Sequence, residues 1–153
     1  MIDSDTQIRT TALDPTRSFC VTAPAGSGKT ELLTQRILAL LPTVDRPEQV
    51  LAMTFTRKAA AEMRERLLSK LDEARRRVEV TESYEQQTRD LALAVLAHAD
   101  ERNWSLDPEQ FNLRTIDSLC ADLTRQMPIL SGLVGAVEIT EQDTPLFELA
   151  VIE

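Results

Sequence analysis

The stretch Ala23-Pro24-Ala25-Gly26-Ser27-Gly28-Lys29-Thr30, entered from the apolar run Ser18-Phe19-Cys20-Val21-Thr22, decides the fold. Ser18 to Thr22 reads as a short buried strand, rich in β-formers. Residues 29–41 carry Leu33, Ile37 and Leu40 or Leu41 at helical spacing, and Pro42 stops them. Strand, glycine-containing turn and helix together form the setting of a phosphate-binding loop. Gly26 and Gly28 let the chain bend so that successive N–H groups face phosphate oxygens, and the first helical turn adds its positive end. Lys29 is placed to reach the β- and γ-phosphates, and the Thr30 hydroxyl to ligate Mg²⁺. Alanine at position 23, where the usual pattern has glycine, asks only for a first turn without positive φ. A chance Gly-Ser-Gly turn before an amphipathic helix is the alternative, and the agreement of all three elements speaks against it.

Working outward, 153 residues are enough for one core of useful size. No apolar run approaches the roughly 18 residues of a membrane span. The N-terminus Met1-Ile2-Asp3-Ser4-Asp5 lacks a secretory layout. Two cysteines, Cys20 and Cys120, suit neither a disulfide framework nor a zinc site, so a cytoplasmic, reduced protein is expected. The net charge of −8 argues against a cationic coat for duplex DNA and leaves single strands open, because local cations and aromatic stacking can hold them.

Residues 5–13 read as a short helix before Pro15, and Val50 to Thr54 as a second strand. Arg57 to about Val78 is the clearest helix, with Ala60, Met63, Leu67 and Leu71 on one stripe. Ser83 with Gln86 suggests a capping box opening another helix, which presents Tyr84, Leu91, Val95 and His98 on one side. A polar loop over 100–110, a strand over 111–115, a helix over about 117–127 and a fourth strand over 137–140 follow. The order predicts an α/β fold with a parallel sheet covered by helices. Cys20 is expected buried in its strand, Arg64 and Arg66 on a solvated face, Trp104 anchoring its loop and His98 in packing. The chain closes on the apolar-periodic stretch 147–153, which reads as the interior of a longer protein.

Beyond the phosphate loop, Thr54-Phe55-Thr56-Arg57-Lys58-Ala59-Ala60-Ala61-Glu62-Met63-Arg64-Glu65-Arg66-Leu67 resembles motif Ia of UvrD-like superfamily 1 DNA helicases. Ala23 to Leu33 resembles their motif I, including its first alanine. Leu113-Arg114-Thr115-Ile116-Asp117-Ser118-Leu119-Cys120 resembles motif Ib, with Asp117 for the usual histidine and Leu119 for the aromatic. These variants, with Arg125-Gln126-Met127-Pro128, are most similar to the RecB/AddA branch of helicase–nuclease proteins, over about residues 7–150.

That resemblance implies a RecA-like P-loop NTPase, a three-layer sandwich with a partial parallel sheet and helix-rich insertions. Residues 1–153 would form the N-terminal part of motor lobe 1A, with about 128–153 leading into an inserted helical subdomain. It implies ATP and Mg²⁺ held by Gln7, Ala25, Gly26, Ser27, Gly28, Lys29, Thr30 and Glu31, with Lys29 and Thr30 catalytic and Thr30 on the metal. It implies single-stranded DNA on Thr54, Phe55, Thr56, Arg57, Thr115 and Ser118, a partner subunit in a helicase–nuclease complex, and coupling of nucleotide state to DNA grip across adjacent strands. Phe55 as core and Thr115 as a helix cap are the plainer readings.

Turnover in this class needs an acidic pair after an apolar strand and arginines from a second lobe. Asp72-Glu73 falls in a helix and Asp100-Glu101 in a polar loop, so the chain alone is expected to be inactive. A stand-alone P-loop kinase lacks an arginine-rich lid here. An ATP-fold adaptor without catalysis is the third reading, in which neither adenine nucleotide nor single-stranded DNA matters.

Overall fold

The computed structural model describes residues 4–78 and 81–127. The expected strand over 137–140 and the subdomain entrance at 128–153 lie outside the described residues. The chain divides into two units, Met1–Asp117 and Ser118–Glu153. In the second unit the described residues continue helix α5 (Ile116–Gln126), where Arg125 Nη2 lies 2.6 Å from Asp122 Oδ1.

The first unit runs α1 (Ser4–Ala12), α2 (Lys29–Leu40), β1 (Leu51–Thr54), α3 (Arg57–Arg75), α4 (Ser83–Arg102) and β2 (Asn112–Thr115), with single 3-10 turns at Leu41–Thr43, Pro47–Gln49 and Pro108–Gln110. The order is helix-rich with a small two-stranded parallel sheet, in the register Leu51↔Asn112, Ala52↔Leu113, Met53↔Arg114 and Thr54↔Thr115.

One face of this sheet is built into the core. Leu113 and Thr115 are buried, and Ala52 packs against the cluster of Leu38, Leu41, Leu67, Leu71, Ala92, Val95 and Phe111. Burial of a leucine such as Leu67, with no exposed surface, is worth about 1.5–3 kcal/mol. Side chains alternate along a strand, so Leu51, Met53 and the following Phe55 share the other face, and all three are exposed.

The start of α3 and the end of α4 have visible local causes. Thr56 caps α3, its hydroxyl accepting from the Ala59 N–H at 3.1 Å. Asn103, in the left-handed region at φ 56°, closes α4 with its N–H on the Ala99 and Asp100 carbonyls. Trp104 anchors the loop beyond it, donating to the Asp45 carbonyl at 3.0 Å and meeting His98 edge-on. His98 reaches the Val44 carbonyl at 2.9 Å, a packing role as expected.

Several expectations are corrected. Residues 18–22 form no ladder among the described residues, and Cys20 and Val21 are exposed. A short run rich in β-formers is a strand only where a neighbour supplies hydrogen bonds; the sheet here has the order β1–β2. The expected adjacency of the phosphate-loop strand and β1 is therefore not observed. On α2 the buried stripe runs through Leu32, Gln35, Ile37 and Leu38, while Leu33 is half exposed. Glu82, not Ser83, occupies the cap of α4, its carbonyl accepting from the Gln86 N–H at 3.0 Å. Tyr84 is exposed rather than part of the stripe, which runs through Thr88, Ala92, Val95 and Ala99. Asp100 and Glu101 lie in the last turn of α4, not in a loop. Arg64 does not lie free on a solvated face: it is half-buried, crosses to β2 and donates to the Leu113 carbonyl at 2.8 Å. Arg66 is exposed as read.

Candidate nucleotide-binding site

The loop from Ala23 to Lys29 turns on two glycines in the left-handed region, Gly26 at φ 76° and Gly28 at φ 77°. A residue with a Cβ is disfavoured there by about 1–2 kcal/mol. A Cβ placed on Gly26 would find nothing within 4 Å, so the loop leaves open space above it. Gly28 is the cap of α2 and supplies no side chain to its first N–H groups, which leaves the arrangement an anion needs at a helix start. Ser27 tightens the turn, its N–H and hydroxyl both donating to the Pro24 carbonyl at 3.4 and 2.8 Å. Lys29 folds back over the loop, its Nζ 2.8 Å from the Ala23 carbonyl and 2.5 Å from that of Pro24. An ammonium has three donors and no acceptor, and these carbonyls hold it at the mouth of the turn.

Two arginines fasten α1 beside this loop. Arg9 donates from Nη2 to the Ser27 carbonyl at 2.7 Å while its Nε pairs with Asp5 at 2.7 Å. Arg36 of α2 donates to the carbonyls of Ala12 (3.2 Å), Asp14 and Arg17 (2.8 Å), which end α1 and carry the chain away from it. Its guanidinium lies 5.4 Å from the Phe19 ring centroid, and that of Arg17 lies 5.3 Å away. Within that turn the hydroxyl and N–H of Thr16, at 2.7 and 2.9 Å, hold the Asp14 carboxyl below its usual range.

Gln7, Ser27 and Lys29 meet in one cleft of about 480 Å³, bounded also by Phe19, Thr22 and Leu32. Ser27 and Gly28 border a larger cleft of about 930 Å³ on the α4 side, together with Glu31, Gln35 and Tyr84. Glu31 is engaged there. Its carboxylate is 3.0 Å from the Thr88 hydroxyl, which accepts from Gln35 Nε2 at 2.8 Å. The structure thus gathers Gln7 with Lys29 and turns Glu31 toward α4. Ala25, Gly26 and Thr30 are exposed along the loop and the first turn of α2. Among the described residues no three His, Cys, Asp or Glu side chains converge as a metal site. Thr30 offers a single hydroxyl, which suits Mg²⁺ bound mainly through phosphates and water.

The model of the UvrD/REP helicase N-terminal domain matches residues 4–151. The chain belongs to the UvrD/REP helicase family. Among curated proteins, an ATP-dependent helicase/nuclease subunit of Desulfitobacterium hafniense is 34% identical over 134 residues, covering 86% of this chain and 9% of its own. The protein of the same name from Lactobacillus johnsonii is 32% identical over 128 residues, covering 84% and 9%. The ATP-dependent DNA helicase UvrD2 of Mycobacterium bovis is 48% identical over 73 residues, covering 47% and 10%. The chain therefore spans about a tenth of the length of these relatives. No solved structure gave a significant match.

In this UvrD/REP chain Thr54 of motif Ia and Thr115 of motif Ib stand side by side at the ends of the two strands, β1 and β2. Phe55, 85% exposed, follows Thr54 and is not core; Thr56 caps α3 and Arg57 begins it. Thr115 is buried at its strand end, immediately before α5. Ser118 lies on α5 in the second unit. Arg9 and Arg36 escaped the sequence reading, and Arg64 was read as solvated. Only Arg9 left a signal, its i,i+4 spacing from Asp5 on a predicted helix. No described helix is long and apolar enough to cross a membrane.

Proposed function

We propose that the chain is the N-terminal part of the first motor lobe of an ATP-driven DNA helicase of the helicase–nuclease type. It would move along single-stranded DNA in double-strand break repair and recombination, in the cytoplasm and with a partner subunit. The single observation that carries this reading is the phosphate loop itself. Two positive-φ glycines, an uncapped helix start and Lys29 at the mouth occur together in a UvrD/REP domain. Two of the relatives carry the words ATP-dependent helicase/nuclease in their names, which supports the helicase–nuclease assignment.

In this reading Gly26, Ser27, Gly28, Lys29 and Thr30 surround the ATP phosphates. Gln7 approaches the base from the cleft it shares with Lys29, Thr30 contributes to Mg²⁺, and Ala25 and Glu31 flank the loop. Bound ATP supplies the free energy that moves the lobes. Lys29 exchanges its Ala23 and Pro24 carbonyl partners for phosphate oxygens, neutralising their charge. Thr54, Phe55, Thr56 and Arg57 with Thr115 and Ser118 hold the unpaired strand, Phe55 offering a ring on which a base stacks. The bare face of Leu51, Met53 and Phe55 and the unladdered 18–22 segment suit a sheet that gains strands and a second helical layer in a RecA-like sandwich.

Among the described residues the acidic pairs Asp72-Glu73 and Asp100-Glu101 both lie within helices, so neither stands at a strand end. The chain alone therefore binds nucleotide without turning it over. Titration with a fluorescent ATP analogue tests the reading: the protein binds saturably, and Lys29→Ala weakens binding at least tenfold. Equal binding by both refutes it, and DNA-stimulated ATP turnover by the 153-residue chain refutes the inactivity.

A further inference from the structure

We infer that Arg9 is a positioning residue of the phosphate loop, one that aims the Gly28 N–H into the cradle. This rests on the reading of residues 23–30 as a phosphate site. Arg9 Nη2 donates to the Ser27 carbonyl at 2.7 Å, and Nη1 lies 3.4 Å from where a Cβ on Gly28 would stand. The guanidinium thus covers the outer side of the Ser27–Gly28 peptide. A trans peptide is planar, with its C=O and N–H pointing in opposite directions. Fixing the Ser27 oxygen against Arg9 therefore directs the Gly28 N–H to the opposite side of the loop. The bond is charge-assisted, so it also polarises that amide as a donor.

The guanidinium is itself held. Asp5, one turn earlier on α1, takes its Nε at 2.7 Å, and the side chain of Arg9 is only 34% exposed. Helix α1 is in turn fastened at its far end by Arg36. Arg9 also borders both clefts, the one shared by Gln7 and Lys29 and the one on the α4 side. The same residue therefore ties the helix that carries Gln7 to the loop that carries Lys29. Base contact and phosphate contact are made by elements that Arg9 keeps in register.

Calorimetric titration of the protein with Mg·ADP, inorganic tripolyphosphate and adenosine provides the test, on wild type, Arg9→Ala, Arg9→Lys, Asp5→Asn and Lys29→Ala. Arg9→Ala is expected to weaken tripolyphosphate and ADP about tenfold and to leave adenosine unchanged. Arg9→Lys, which keeps charge and donor, recovers part of that loss, and Asp5→Asn gives a smaller loss of the same pattern. Tripolyphosphate binding by Arg9→Ala at wild-type strength overturns the inference, as does an equal loss for adenosine and tripolyphosphate. Should Arg9→Ala fail to fold, Asp5→Asn decides by the same criterion. A Lys29→Ala protein that keeps tripolyphosphate removes the phosphate-site reading itself. Lys29→Ala losing it while the Arg9 and Asp5 variants keep it removes only the role of Arg9.

Discussion

Replacing Gly28 by alanine, with Gly26→Ala alongside, measures what the positive-φ backbone contributes to the phosphate loop. Both glycines sit at nearly the same positive φ, 77° and 76°. An alanine there is disfavoured by about 1–2 kcal/mol. Loss of the glycine's freedom in the unfolded chain returns about 0.4–1 kcal/mol. The net cost to stability is thus about 1 kcal/mol, or roughly 2–4 °C in Tm for a chain of this size. Affinity falls further than stability suggests. A loop that leaves the left-handed region in the free protein must be driven back on binding, and about 1–2 kcal/mol is a factor of roughly 5–30. The two sites differ in their surroundings. Nothing lies within 4 Å of a Cβ on Gly26, whereas one on Gly28 meets Arg9 Nη1 at 3.4 Å. A methyl at Gly28 thus stands in ordinary contact with Arg9 at the start of α2, and Gly28→Ala weakens nucleotide binding at least as much as Gly26→Ala does, at a similar Tm. Fluorescent-nucleotide titration with thermal melts of the three proteins gives both quantities. Wild-type affinity in Gly28→Ala, or a larger loss in Gly26→Ala, refutes the reasoning.

Phe55→Ala removes an 85% exposed ring at the end of β1 and is expected to weaken single-stranded oligonucleotide binding by about 1–3 kcal/mol. Nucleotide affinity is unchanged, and fluorescence anisotropy with a labelled oligonucleotide checks the split. Leu67→Ala opens a hole where α3 meets the core, at a side chain with no exposed surface; chemical denaturation should show a loss of about 2–5 kcal/mol. Lys70 Nζ at 2.9 Å, and then the Ser69 hydroxyl at 2.8 Å, hold the Glu73 carboxyl below its ordinary 4.5. Its stabilising contribution is therefore present above pH 4.5 and is lost as pH falls through the lowered folded value. Glu73→Gln should flatten the acid limb of Tm against pH, by a modest amount because the side chain is 42% exposed.

What the sequence disclosed, and what it withheld, follows from the range of each signal. Helices α2 and α3 were legible because apolar periodicity runs through them, with Pro42 marking the end of the first and the stripe of Ala60, Met63, Leu67 and Leu71 carrying the second. The strands at 51–54 and 112–115 were legible as short segments placed between loop and helix signals. Residues 18–22 carry an equally good local signal, yet strand formation depends on a partner elsewhere in space. Leu33 misled because it stands beside the buried stripe that Ile37 and Leu41 do join, and a leucine at a stripe's edge looks the same in sequence as one at its centre. The glycines and Lys29 of the candidate site were readable because a phosphate loop is a contiguous motif. Arg36 and Arg64 were not, because long side chains act at the far end of a flexible stem, on carbonyls some 20 and 49 positions away. Phe55 shows the opposite case: its exposure depends on which residues cover the sheet, not on its neighbours in the chain.

The most direct measurement is a backbone amide NMR titration of the protein with a slowly hydrolysed Mg·ATP analogue. The account predicts large saturable shifts for Gly26, Ser27, Gly28, Lys29 and Thr30, with the amides of Leu67 to Leu71 in the middle of α3 nearly unmoved. Amides of residues 26–30 that stay in place at saturating nucleotide, or shifts centred elsewhere, would contradict it.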